Sequence, residues 1–233
     1  MGIIDTVLDK GTLGELLSSP WRSEDTYVTA GAYMYCTLGT HEDVLNKLEP
    51  NGVYINGSPM ITVDDCVTST SEPRVMHGVP CTKMGENIDG NLYSFGYCRS
   101  ELHPMKTAEK LIGDYAALPH IIDPDPLEPT FGKAVFPCAP DLMPTASASA
   151  PAQAPFTAQA TAQLSAMVSL PMSNSLLDAL TGATTKWTNG SSNVSIQGVP
   201  ALTSKSCLYC KCGGKISLLT NGMDPAPPQF SAR

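Results

Sequence analysis

Residues 53 to 61 read V-Y-I-N-G-S-P-M-I and residues 194 to 202 read V-S-I-Q-G-V-P-A-L, two copies of V-x-I-x-G-x-P-x-[IL] in one chain. Each copy needs β-branched residues facing inward, a glycine free to take a positive φ, and a proline that fixes the exit. That proline also removes a backbone donor, which suits an edge strand. Gly57, Pro59, Gly198 and Pro200 are therefore expected to shape the same turn twice. One such turn is common; two predict a small β-fold with an internal repeat rather than two unrelated domains.

The rest of the composition agrees with short strands. Twenty prolines and nineteen glycines punctuate 233 residues, only 6% of which are aromatic and 15% charged. The expected fold is mainly β, built from short strands and hairpins, with short helices and irregular insertions. The β-domain is placed at 27–222, after a helical or extended segment at 1–26 and before a tail at 223–233.

In the first segment, Ile3, Ile4, Val7, Leu8, Leu13, Leu16 and Leu17 have the spacing of one short amphipathic helix or of two broken near Gly11. Such a helix either lies on the domain or docks a partner. Insertions are expected at about 100–134 and 139–185. The first begins with a helix in SELHPMKTAEKLIGDYAA, N-capped at Ser100, and continues as an extended strap carrying Pro124, Pro126 and Pro129. The second is an uncharged Ala/Pro/Ser/Thr/Gln stretch with the composition of a linker.

Charge and motifs exclude several functions. The net charge is -8 with no basic run, so nucleic acid is not an expected partner. The N-terminus lacks the basic, apolar pattern of a signal peptide, and no apolar run is long enough for stable membrane insertion. There is no G-x-S-x-G elbow, H-E-x-x-H pair or phosphate loop. The histidines (His41, His77, His103, His120) stand in loop-like contexts, read as solvated, and the chain is not expected to be an enzyme.

Eight cysteines are the strongest chemical lead. C-x-x-C occurs once, at Cys207 and Cys210, without the second pair that zinc ribbons and fingers use. Single cysteines instead end separate strand-like pieces: Cys36, Cys98, Cys138 and Cys210. A site built from such distant segments would close a small β-domain at one point, through a metal or through disulfides. Cys66 and Cys81 bracket a loop that a disulfide would suit. Both chemistries remain open at this level.

Taken in order, AGAYMYCTLGT (30–40), NGVYINGSPMITVDD (51–65), FGYCRSELHP (95–104), FPCAPDLMP (136–144), KWTNGSSNVSIQGVPALTSKS (186–206) and CKCGGKISL (210–218) resemble the PAAR-like proteins of contractile injection systems. The resemblance places the family's cysteines on Cys36, Cys98, Cys138 and Cys210, its paired glycines on Gly213 and Gly214, and its tryptophan on Trp187. Cys212 stands where that pattern has a tryptophan, and Cys207 is additional, so either could replace Cys210 as a ligand or pair as a disulfide.

The resemblance implies a cone-shaped β-domain with one structural zinc or iron ion. It implies a partner, a trimeric spike protein capped by one tip chain, and the possibility of effector cargo carried on the insertions or the N-terminal segment. It also implies synthesis in a bacterial cytoplasm, assembly on a secretion machine or a released phage-tail-like particle, and delivery outside the cell.

Overall fold

The structure is a computed structural model that describes residues 10–22, 24–69, 75–76, 79–80, 89–116, 118–144 and 185–223. His77, Cys81, residues 1–9, most of the 139–185 insertion and the tail beyond Met223 lie outside the described residues.

The described chain is mainly β, in small antiparallel sheets. Helix α1 (Lys10–Leu17) is followed by a 3-10 turn at Pro20–Arg22 and by strands β1 (Tyr33–Cys36), β2 (Glu42–Val44), β3 (Tyr54–Ile55), β4 (Ser58–Pro59), β5 (Val75–Met76), β6 (Val79–Pro80) and β7 (Tyr97–Cys98). After helix α2 (Pro104–Ile112) come β8 (Ile121–Ile122), β9 (Ala134–Pro137), β10 (Ser195–Ile196), β11 (Val199–Pro200), β12 (Cys207–Tyr209) and β13 (Lys215–Leu218). One sheet runs β12-β13-β1-β2 and another β7-β9-β8. The remaining pairs are the hairpins β3-β4, β5-β6 and β10-β11.

Both copies of the sequence repeat form the expected hairpin, but Val53, expected to face inward, is exposed because it precedes the paired residues of β3. Tyr54 pairs with Pro59 and Ile55 with Ser58; Ser195 pairs with Pro200 and Ile196 with Val199. Asn56 and Gly57 have φ of 50 and 84, and Gln197 and Gly198 have 52 and 85. Two successive positive φ angles make the tight turn whose twist matches that of the flanking strands. β5-β6 pairs in the same way, Val75 with Pro80 and Met76 with Val79. The sequence across it, V-M-H-G-V-P, keeps the glycine and the proline.

Immediately after the two repeated hairpins the chain forms a ring that has three members. The Val28 N–H donates to Leu202 O at 3.2 Å, Leu202 N–H to Ile61 O at 2.9 Å, and Ile61 N–H to Val28 O at 3.0 Å. A second cycle runs the opposite way: Ala30 to Pro59 O, Val63 to Pro200 O and Ser204 to Thr26 O, at 2.9, 3.0 and 2.9 Å. Residues 26–30, 59–63 and 200–204 are thus equivalent, each bonded to both others. Each then turns alike: Ala32, Asp65 and Ser206 donate back to Thr29 O, Thr62 O and Thr203 O.

Val28, Ile61 and Leu202 are fully buried, each contributing about 1.5–3 kcal/mol by leaving water. They join one large core with Met34, Phe95, Ile216 and Leu218. Residues one position earlier, Tyr27, Met60 and Ala201, belong to a separate small cluster with Ile55, Val194 and Ile196. The alternation follows from strand geometry, which sends neighbouring side chains to opposite faces.

Four expectations need correction. α2 begins at Pro104, and its N-cap is His103, whose Nδ1 accepts the Met105 N–H at 3.2 Å. Ser100 does not cap it because its hydroxyl donates to Cys212 O at 2.6 Å and accepts the Leu102 N–H. The proline strap is not wholly irregular: Ile121–Ile122 pairs with β9 before the first proline, and Ile121 is buried. α1 runs through Gly11 instead of breaking there. His41 and His103 are buried rather than solvated, the first with Nδ1 2.6 Å from Thr40 Oγ1.

Candidate functional site

The sheets bring cysteines from four chain segments to one place. β1 ends at Cys36 and packs its alternate residues Met34 and Cys36 inward. β7 ends at Cys98, directly opposite Phe136 of β9, and Cys138 follows β9 with its N–H donated to Gly96 O at 2.8 Å. Cys210 follows β12, where it bridges to Leu142, and Cys212 lies in the turn before β13.

Within this cluster Cys98 neighbours Cys138 and Cys212, and Cys210 neighbours Cys212, closely enough for the thiols to shift one another's titration. Cys36 is close enough to Cys98, Cys138 and Cys210 to feel their charge.

The paired glycines make room for it. A Cβ on Gly214 would sit 2.5 Å from Cys36 Sγ, and Gly213 takes φ 88, a turn conformation that disfavours side chains. Cys210 N–H donates to Gly214 O and Gly213 N–H to Cys210 O, both at 2.8 Å, so the turn folds back over the thiols.

The environment keeps these groups protonated. Burial pushes Cys36 up to about 12. The hydrogen bond with Cys138 does most to push Cys98 up to about 12. Cys210 is raised by its bond with Cys212 and by burial. In Cys212 the bond from Cys210 acts downward, but the bond with Cys98 and burial outweigh it and push the thiol up to about 12. In Cys138 the bond with Cys98 pulls downward most strongly, but burial together with the charges of Cys36 and Cys210 outweighs it and the thiol is raised. At neutral pH the cluster is one of thiols rather than thiolates.

The structure therefore brings together Cys36, Cys98, Cys138 and Cys210, and adds Cys212. Cys207 lies apart, with Sγ 3.1 Å from Thr188 Oγ1. Cys66 also lies apart, its Sγ 3.1 Å from Thr185 O; its suggested partner Cys81 is outside the described residues. All described cysteines are free. Five thiols have the donor chemistry for a soft metal. Yet among the described residues no group of three or more His, Cys, Asp or Glu side chains is placed to hold an ion.

The second candidate site is the ring, of which sequence reasoning found two members and missed the third. Thr26-Tyr27-Val28-Thr29-Ala30 is not preceded by an N-G-x-P-type turn, so the repeat signature does not extend to it. What the three share is an aliphatic residue followed by threonine: Val28-Thr29, Ile61-Thr62 and Leu202-Thr203. All three threonines are buried, and each backbone N–H is satisfied differently. Thr62 donates to Asp65 Oδ2 at 2.8 Å, Thr203 to Ser206 Oγ at 3.1 Å, and Thr29 to Asn221 O at 2.9 Å.

The chain belongs to the DUF4280 family, a domain of unknown function whose model matches residues 28–223. That span holds Val28 and Leu202 of the ring as well as every thiol of the cluster. No curated protein and no solved structure matches the chain. No helix among the described residues is long and apolar enough to cross a membrane.

Proposed function

We propose that the protein is a structural spike tip: a PAAR-like chain that caps the end of a trimeric spike in a contractile injection system. The observation that carries this reading is the ring of residues 26–30, 59–63 and 200–204, in which one chain presents the same backbone pattern three times. A homotrimer ends in three identical chain edges around an axis. A single asymmetric chain meets them equally only if its own backbone repeats threefold.

The hairpins β3-β4 and β10-β11 enter the ring directly, and Val53 and Tyr54 beside the first are exposed apolar residues. Strand edges at this end would extend those of the spike by backbone hydrogen bonding. The thiol cluster would then hold the strand ends of the same core together, since a small domain has little apolar interior to spare. This role is mechanical and involves no reaction. The zinc or iron implied by the resemblance is not required for it. The protein would be made in a bacterial cytoplasm and leave the cell on the particle.

A second reading, cargo or effector adaptor on the same tip, is favoured by α2. Its buried side carries Lys106, over the Phe136 ring at 5.4 Å, while Leu111 and Ile112 are 82% and 60% exposed. Co-expression with candidate trimeric spikes tests the main reading. A complex of about three spike chains to one tip should survive gel filtration. Capture of an effector that depends on α2, alongside the spike complex, would add the adaptor role, and no complex with any spike would overturn both readings.

A further inference from the structure

Helix α1 and the turn that follows it are held to the body by different means. In the turn, Trp21 packs against the large core, the Arg22 guanidinium donates to the Leu218 carbonyl, and the Arg22 carbonyl accepts the Ser204 hydroxyl at 3.2 Å. The turn is thus fixed beside ring segment 200–204. α1 itself has no buried residue, and among the described residues none of its side chains joins the core. Two glycines in its eight residues make it a weak helix, and so short a helix is marginal in water. At the end away from Trp21, Lys10 Nζ lies 3.0 Å from Glu128 Oε1 and 3.6 Å from Asp125 Oδ2, both on the proline strap.

The strap's carboxylates have a second cation. Arg99 donates to Asp123 from Nε at 2.7 Å and from Nη2 at 3.2 Å, and its guanidinium also lies 3.7 Å from Asp125 and 3.8 Å from Glu128. The Arg99 side chain is 8% exposed and that of Lys10 39%. The strap is also closed by its own bonds. Thr130 Oγ1 donates to Asp123 Oδ2 at 2.6 Å, Gly132 N–H to Asp123 O at 3.0 Å and Asp123 N–H to Lys133 O at 2.9 Å. Taking Lys10 away therefore leaves Asp125 and Glu128 beside a buried cation and the strap closed, while α1 loses its ionic tie.

We infer that α1 is a releasable arm, anchored at Trp21-Arg22 and latched by Lys10 to Asp125 and Glu128, which leaves the body while the strap and the ring stay folded. An exposed ion pair is weak and screened by salt, so ionic strength shifts the arm toward its open state. Opening frees Leu13 and Leu16, its half-buried apolar residues, for contact elsewhere. The arm is independent of the spike reading, because the latch and the anchor both lie within one chain.

Amide hydrogen exchange of the full chain, followed residue by residue by NMR, tests the latch. In Lys10→Glu the amides of residues 13–18 should exchange about two- to tenfold faster. Raising salt from about 0.05 to about 0.5 M should speed the same amides in the unmodified chain and leave those of Lys10→Gln unaffected. Phe131, Gly132 and Lys133 of the strap, and Val28, Ile61 and Leu202 of the ring, should keep their rates in both variants. Unchanged exchange at residues 13–18 in Lys10→Glu, or no response of the unmodified arm to salt, would overturn the inference by showing that packing holds α1. Faster exchange spreading to the strap or the ring would also overturn it, since Lys10 would then brace the fold. Spike capture is scored separately, so either idea can fail without the other.

Discussion

The ring and the thiol cluster share one core but are held in different ways. The ring is held by backbone: six hydrogen bonds pass between three equivalent segments, and the side chains at its centre need only be aliphatic. The cluster is held by side chains: five cysteines from segments with no common pattern meet at one point, and each is individually required to reach it. Backbone symmetry tolerates sequence drift; side-chain convergence does not. A family conserving function at both sites would thus show it as a pattern at one and as fixed residues at the other.

The comparison breaks first at the ring. Ile61→Ala or Leu202→Ala should cost about 2–5 kcal/mol, since each leaves a cavity at a fully buried position, and denaturant unfolding checks it. Equal stability in both variants would show that the ring is not a core element. A smaller loss, about 1–3 kcal/mol, is expected for Gly214→Ala, whose Cβ would press on Cys36 Sγ with little room to move. Cys138→Ser should cost a similar amount, because a hydroxyl replaces a thiol in an apolar setting. Gly198→Ala should cost least, about 1 kcal/mol: its φ of 85 is strained for alanine, but nothing lies within 4 Å.

A pH test probes the β12-β13-β1-β2 sheet. Asp43 of β2 is buried, and burial raises its carboxyl from 3.8 to about 7, against the opposing pull of the backbone N–H of Tyr93 and Val44. The folded state then holds a proton that the unfolded chain releases between these values. Asp43 therefore contributes stability that is fully present below about 3.8 and is lost as pH rises through about 7. Asp43→Asn should flatten that part of the stability profile. An unchanged slope would assign it to other groups.

Much of this was legible in the sequence. Two hairpins were visible because an N-G or Q-G turn and its proline leave a local signature. The third ring segment was hidden because it lacks the hairpin and keeps only Val28-Thr29, a pair too short to notice alone. Four clustered cysteines stood out as strand ends. Choosing between Cys207 and Cys212 required the register, which pairs Cys207 with Ser217 inside β12 and leaves Cys212 in the turn. The misplaced helix cap has a non-local cause: Ser100 is diverted by a carbonyl far along the chain. Local rules cannot register such a partner.

The order in which the ring segments occur along the chain has a consequence for biosynthesis. Two of its members, 26–30 and 59–63, leave the ribosome first, and the third, 200–204, follows well over a hundred residues later. Until then Ile61 N–H can find Val28 O, while Val28 and Val63 have no acceptor from the missing segment. The nascent chain must carry an open, apolar pair of strands until residues 200–204 emerge. Such long-range closure is slow and exposes aggregation-prone edges. The protein should therefore be a strong client of ribosome-associated chaperones, and products truncated before Leu202 should be insoluble or rapidly degraded.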